Sequence, residues 1–238
     1  MNHFQFPRGL ITKTGLIKSL DYYYKNNRQA VRNQYTVFHS IPLSFLLRID
    51  DKNSRFDLQK FIQITKKGYH SCMKNTIAKK HCQENFWLVK PHFLNRGRGI
   101  GIFNDPNKIE KFLSSKKKGS KWVAQKYLEK PLLYKDRKFD IRVWVIVKSP
   151  IEVFIYRKGY IRTSSNAYTL KNLDNYIHLT NNCLQIHGDG YGIHEDGNTL
   201  PYETVEKFFQ EKFPDLDFSI RKHIMPRIHD LIIDSVIS

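Results

Sequence analysis

Two short apolar runs, Phe86-Trp87-Leu88-Val89 and Ile100 to Phe103, bracket a stretch reaching from Lys90 to Gly101 (Lys-Pro-His-Phe-Leu-Asn-Arg-Gly-Arg-Gly-Ile-Gly). β-type runs separated by a glycine-rich segment read as strand, loop, strand. Glycines at 97, 99 and 101 let backbone N–H groups approach an anion closely, and Lys90, Arg96 and Arg98 put positive charge where phosphates would lie. The stretch is not a P-loop, because G-x-x-x-x-G-K-[ST] is absent and the loop leads into a strand instead of a helix. A tight hairpin with exposed basic tips is the other reading of the same residues.

The rest of the chain is organised around this loop. At 238 residues it holds one large domain or two small ones, with no internal repeat. The polar segment Asp50 to Arg55 marks a boundary, giving a small N-terminal unit over 1–53, a central unit over 54–128 that would cover a nucleotide, and a C-terminal unit over 129–238. Ser54 and Asp57 resemble a capping box, and Leu58, Phe61, Ile62 and Thr65 repeat at helical spacing, so a helix is expected over 55–67. Asp105-Pro106 starts a second helix, expected to end near Lys118 with Gly119 as its stop. Strands are expected over Trp122 to Leu128 and Phe139 to Val147, then a hairpin from Glu152 to Thr163 turning at Arg157-Lys158-Gly159. Helix returns from Tyr202, and Ile220, Ile224, Ile228, Leu231 and Ile232 form a last apolar face that Pro226 should kink.

Forty Lys and Arg against 22 Asp and Glu give a net charge of +18, while 40% hydrophobic and 13% aromatic residues mark a folded chain. Such a field favours polyanions without choosing among them. The Lys116-Lys117-Lys118 cluster reads as a solvated helix face, and with no nucleic-acid motif present, nucleic acid is not an expected partner. No run is long and apolar enough for a membrane helix, and Met1 to Leu20, with Arg8, Lys13 and Lys18, reads as no secretory leader, so no membrane is expected. Three cysteines, Cys72, Cys82 and Cys183, make no disulfide framework and fit a reducing compartment. His70, Cys72, His81 and Cys82 crowd one stretch, but their spacing matches no zinc-finger pattern, and they read as a helix with its exit loop.

Four blocks follow one another in order: Trp87-Leu88-Val89-Lys90-Pro91 with its Arg-Gly-Arg-Gly-Ile loop, Gln125-Lys126-Tyr127-Leu128, Lys138-Phe139-Asp140-Ile141-Arg142, and His178-Leu179-Thr180-Asn181-Asn182. Together, and with Asn2-His3-Phe4 near the start, they resemble the tubulin–tyrosine ligase-like family. The resemblance implies an α+β, ATP-grasp-like fold of mixed or antiparallel sheets with flanking helices, and ATP-dependent joining of an amino acid to a protein carboxylate. It also implies site roles. Lys90 would contact nucleotide phosphate, and Arg96 and Gly97 would belong to the covering loop. Gln125, Lys126, Tyr127 and Leu128 would bind adenine through backbone amide and carbonyl. Lys138 and Asp140 would contact phosphate and ribose, with Thr180 and Asn181 nearby, all in the nucleotide site. Arg162 would hold the amino-acid substrate's carboxylate, and Arg142 would stabilise an acyl phosphate. Phosphoryl transfer to a carboxylate calls for cations in such places. Other readings stay open: Lys138, Asp140 and Arg142 share a strand face and could form a cross-strand ion ladder, Arg162 could be an ordinary hairpin charge, and His178 and Thr180 could satisfy a buried edge.

The same resemblance implies Mg2+, yet the carboxylate ligands expected downstream, an Asp and a Glu-x-Asn block, are not recognisable. The metal set is therefore read as none. The chain is expected to be cut off before that site, with its C-terminal unit incomplete, an exposed sheet edge and poor solubility. A pseudoenzyme, or ligands recruited from elsewhere, are the alternatives. Asp189, Glu195 and Asp196 lie in a glycine-rich loop that reads as a surface turn. By resemblance the partners are acidic tubulin tails on microtubules and a free amino acid, the chain acting as a monomer in cytoplasm and cytoskeleton, with cilium or basal body a family expectation. Glutamate addition, as in polyglutamylation, is preferred because Arg162 is present. Glycine addition is the alternative, since Leu170 to Asn175 with His178-Leu179 looks like glycine-adding members. A non-catalytic basic module that grips microtubules or nucleic acid is the contrasting class.

Overall fold

The computed structural model describes residues 8–49, 55–67, 84–149 and 151–238. The Ser54 capping box and the His70, Cys72, His81, Cys82 group lie outside the described residues. The chain divides into two units, one running to Pro131 and taking in Ile237–Ser238, the other Leu132–Val236.

The first unit starts with helices α1 (Arg8–Ile11), α2 (Lys13–Asn26) and α3 (Arg28–Arg32). The Thr12 side chain caps α2 by accepting from the Gly15 N–H, and Leu20, Tyr24 and Val37 make a small core beneath it. Strands β1 (Ser44–Arg48), β2 (Trp87–Pro91), β3 (Gly101–Phe103) and β4 (Lys121–Lys126) then form an antiparallel sheet in the order β1-β4-β2-β3. Alternation along each strand separates two faces. Leu47, Trp87, Val89, Trp122 and Ala124 point to one, where they bury Phe61 and Ile62 of α4 (Arg55–Lys67) and Ile109 and Leu113 of α5 (Pro106–Ser114). Lys90 and Gln125 project from the other.

The helix expected over 55–67 is α4. Asp105 caps α5 by accepting from Asn107 N–H, with Pro106 in its first turn as the sequence indicates. The helix ends at Ser114 instead of Lys118, because Ser114 and Ser115 hydroxyls donate to the Lys111 and Phe112 carbonyls and end the ladder early. Gly119 serves the following turn, at φ 76°.

The second unit holds an antiparallel sheet in the order β10-β9-β6-β5, from β5 (Leu133–Tyr134), β6 (Arg137–Arg142), β9 (Tyr160–Ala167) and β10 (Thr199–Leu200). Lys135 and Asp136, both at positive φ, make the two-residue turn from β5 to β6, a geometry that matches strand twist. Tyr134 and Ile161 pack on Tyr202, Val205 and Phe209 of helix α8 (Tyr202–Lys212). Short helices α6 (Asn175–His178) and α7 (Asn182–Gln185) lie between β9 and β10.

Two sequence expectations fail here. The strand over Phe139 to Val147 is two strands, β6 and β7 (Val145–Lys148), because Arg142's carbonyl leaves the ladder to accept from the Tyr202 hydroxyl at 3.0 Å. The hairpin over Glu152 to Thr163 does not form. β8 (Glu152–Ile155) pairs with β7 as a separate ribbon, while β9 pairs with β6. Gly159 lies between them, and a Cβ there would collide with Arg142's carbonyl and Tyr202's ring. The ribbon exposes Trp144, Ile146, Phe154 and Tyr156, at 48–68% exposure. Before Pro226 the backbone is π-helical over Ile220–Ile224, with Met225 N–H reaching Ile220's carbonyl, and α9 (Met225–Ile237) follows. Among the described residues no helix is long and apolar enough to cross a membrane.

Candidate functional site

Each unit carries its own set of polar side chains on one sheet face. In the first unit, Ser44, Gln125 and Leu88 stand side by side on β1, β4 and β2, and Lys90 follows Leu88 on the same face by two residues. Lys90 Nζ donates to Gln125 Oε1 at 2.6 Å, and Gln125 Nε2 donates to Ser44 Oγ at 2.9 Å. Lys13 at the start of α2 reaches the loop after β2, its ammonium donating to Leu94's carbonyl at 2.5 Å. Burial, and then the nearby Lys13 charge, push Lys90 down from the usual lysine value to about 8, and burial lowers Lys13 as well. Among the described residues neither lysine has a carboxylate ion pair. His92, at the head of the loop, shares a hydrogen bond of 2.5 Å with the Thr14 hydroxyl, and burial together with Lys121, Lys13 and Lys18 disfavours its protonated form. The loop itself turns through left-handed backbone at Arg96, Gly97 and Gly99. A buried cation satisfied only by a neutral amide, beside a second cation, is a receptacle for an anion.

The Gln125 to Leu128 stretch has prior obligations. Lys126 N–H donates to Leu43's carbonyl and Tyr127 N–H to Phe86's, so these two amides are engaged within the sheet. The Lys126 ammonium is fully buried and donates to Phe86 O, Tyr127 O and Glu129 Oε1, which accounts for its three hydrogens. Burial raises the Glu129 carboxyl more than the Lys126 hydrogen bond lowers it. Leu128, by contrast, is 43% exposed.

In the second unit Asp140 and Arg162 stand directly opposite on β6 and β9. Arg162 Nε and Nη2 donate to Asp140 Oδ1 and Oδ2 at 2.8 and 2.6 Å, and Thr180 Oγ1 donates to Oδ2 at 2.6 Å. The hydrogen bond to Asp140 holds the Arg162 guanidinium above its usual value. Lys138 and Arg142 lie two residues to either side of Asp140, and the Arg142 guanidinium sits 5.0 Å from the Trp144 ring. Asn181 begins α7 without a side-chain cap. His178 is buried, its Nε2 2.8 Å from Asn172's carbonyl.

Glu195 departs from the surface turn read in the sequence. Its carboxylate pairs bidentately with Arg137 at 2.6 and 2.7 Å and accepts from Thr163, tying the glycine-rich loop to the sheet. Burial pushes this carboxyl up, but Arg137 and Thr163 outweigh it and hold it below the usual range. Asp189 and Asp196 are exposed. Among the described residues no three His, Cys, Asp or Glu side chains gather as a metal site, so the Mg2+ that the family resemblance implies finds no ligand set in them.

Sequence reasoning missed Lys13, Ser44 and Glu129 as members of these networks. Lys13 is far from the loop in sequence, and only the fold joins them. Glu129, three residues after Lys126, was within reach of a local reading.

Three relatives bear on this arrangement. Over 162 residues, 66% of this chain and 15% of the relative, the chain is 37% identical to Tubulin glycylase 3D of Tetrahymena thermophila. It is 44% identical over 108 residues to mouse (Mus musculus) Tubulin monoglycylase TTLL3, covering 43% of this chain and 12% of that protein. Mouse Protein monoglycylase TTLL8 is 40% identical over 106 residues, 42% of this chain and 13% of its own length. The matched segment is thus a small fraction of each curated relative. The sequence pattern of the Tubulin-tyrosine ligase family matches residues 1–238 from end to end, and the chain belongs to that family.

Proposed function

We propose that this chain takes part in ATP-dependent ligation of glycine to glutamate side chains of an acidic protein tail, with tubulin as the acceptor. The observation that carries the nucleotide half of this reading is the Lys90 ammonium, buried on a neutral amide beside Lys13. Polyphosphate would supply the missing negative charge, with the Arg96-Gly97 loop closing over it. With the Lys126 and Tyr127 amides engaged, a backbone contact to adenine falls to Leu128, while Lys126, clamped by Glu129, supports that backbone. Lys138 and Arg142 supply positive charge on the β6–β9 face, and Arg162 binds the carboxylate of the amino acid. Bound ATP supplies the γ-phosphoryl group that activates the acceptor carboxylate. The protein's part is to hold charges in place, so that the amino acid's amine attacks an acyl phosphate already stabilised. An ATP-grasp arrangement and an association with microtubules belong to the same reading.

Glycine replaces glutamate as the favoured amino acid. The relatives quoted above are named as glycylases, and Arg162 recognises an α-carboxylate that both amino acids carry. The test is incubation with ATP, tubulin and isotope-labelled glycine or glutamate in parallel, read by mass spectrometry of tubulin tail peptides. Label from glycine is the expected result. Label from glutamate alone reverses the choice of amino acid. Salt-sensitive microtubule binding without any label or ATP affinity supports the binding module instead.

A further inference from the structure

The Asp140–Arg162 pair has a feature that a simple ion ladder does not require. Arg162 uses Nε and Nη2 on Asp140, and among the described residues its Nη1 makes no hydrogen bond while keeping contact with solvent. Both Asp140 oxygens are engaged, Oδ1 by Nε and Oδ2 by Nη2 and the Thr180 hydroxyl. The Asp140 side chain is 38% exposed and that of Arg162 is 19% exposed, so the pair sits at the surface of the sheet with its geometry fixed from below.

We propose that Asp140, braced by Thr180, is the positioning residue of Arg162, and that the remaining Nη1–Nη2 fork of the guanidinium is the receptor for a second carboxylate. A guanidinium has two edges suited to a planar pair of oxygens, and filling one with Asp140 fixes the plane of the other. An arginine on a strand otherwise loses considerable rotamer freedom when it binds a ligand. Here that ordering is complete before the ligand arrives. Lys138 and Arg142 leave the face with excess positive charge after Asp140 has neutralised Arg162, so a second anion is still attracted. Asp140 is thereby reassigned from the ribose contact that resemblance suggested. The identity of the carboxylate as that of glycine rests on the function proposed above, but the two-edged arginine does not.

The test uses the full chain with acetate, glycine and ATP as separate probes. By NMR, the Arg162 Nε–H resonance of the wild type is expected to be protected from exchange and to stay in place on addition of acetate, while the Nη signals shift. In Asp140→Asn the Nε–H protection is lost, and acetate and glycine bind about tenfold more weakly, in line with losing a charge-assisted hydrogen bond of ~1.5 kcal/mol. ATP affinity stays within about twofold. Thr180→Val moves carboxylate affinity in the same direction by a smaller factor. A fall in ATP affinity with carboxylate affinity unchanged would restore the ribose contact and overturn the proposal, as would a wild type that takes no acetate at the Arg162 Nη groups. Acetate binding without glycine or ATP affinity would leave the proposal standing and refute the ligase reading.

Discussion

The two units place cations on antiparallel sheets in opposite ways. In the first, Lys90 is deeply buried, its partner is the neutral Gln125 side chain, and its neighbour is another cation. In the second, Arg162 is paired with a carboxylate on the strand directly opposite and remains partly solvated. The first arrangement is electrostatically incomplete, and folding tolerates it by making the ammonium easier to deprotonate. The second is complete with one edge to spare. Two lysine- or arginine-bearing strands that look alike in sequence therefore differ in what they ask of a ligand: one needs an anion for neutrality, the other offers an oriented fork.

The largest expected effect comes from the first unit's enclosed pair, Lys126 with Glu129, whose side chains are 0% and 1% exposed. Glu129→Leu leaves a buried ammonium without its counter-charge and should cost about 3–5 kcal/mol in urea unfolding, because breaking one side of a buried pair strands the other. Asp140→Asn, at a partly exposed pair, should cost under about 1 kcal/mol. Equal losses would erase the contrast between the units.

Next in size is a pH effect. The folded-state value of Lys90, about 8, lies below its ordinary 10.5, so between those values the unfolded chain binds the extra proton and the folded one does not. Stability attributable to this group therefore rises with pH across that window, by up to about 3 kcal/mol, and below pH 8 the full penalty of the buried charge remains. Lys90→Met should remove the slope. Unfolding curves from pH 7 to pH 10.5 that are parallel for both proteins would contradict the incompleteness assigned to the first unit.

The smallest effect concerns the β7–β8 ribbon, where Ile146 and Phe154 face each other across the pair. Replacing both with threonine should change stability by about 0.5 kcal/mol or less while raising solubility, because exposed apolar ladders favour association over folding. Light scattering at increasing concentration measures this directly. A large loss of stability would mean that the ladder is part of a core.

Much of this architecture was legible where a periodic pattern and a boundary signal agreed. Leu58, Phe61, Ile62 and Thr65 gave α4 its face, and Asp105-Pro106 gave α5 its start. What failed was pairing. Nothing in Phe139 to Val147 distinguishes residues that join β9 from residues that join β8, since both pieces are apolar and β-branched, and the break depends on Tyr202 sixty residues away. The candidate site divides along the same line. Lys90 and its loop could be read from glycines and charges in one stretch, whereas Lys13 joins them only through the docking of α2. Asp140 and Arg162 were both singled out, but their register, and so their pairing, belongs to the sheet.

The central claim is that Lys90 awaits an anion, and proton linkage tests it most directly. Titration calorimetry with ATP at pH 8, in two buffers of different ionisation enthalpy, counts the protons taken up on binding. A phosphate beside Lys90 should restore its charge, giving uptake of about half a proton near the free-state value, and that uptake should vanish in Lys90→Met. Absence of ATP binding, or proton uptake unchanged by the substitution, would contradict the account.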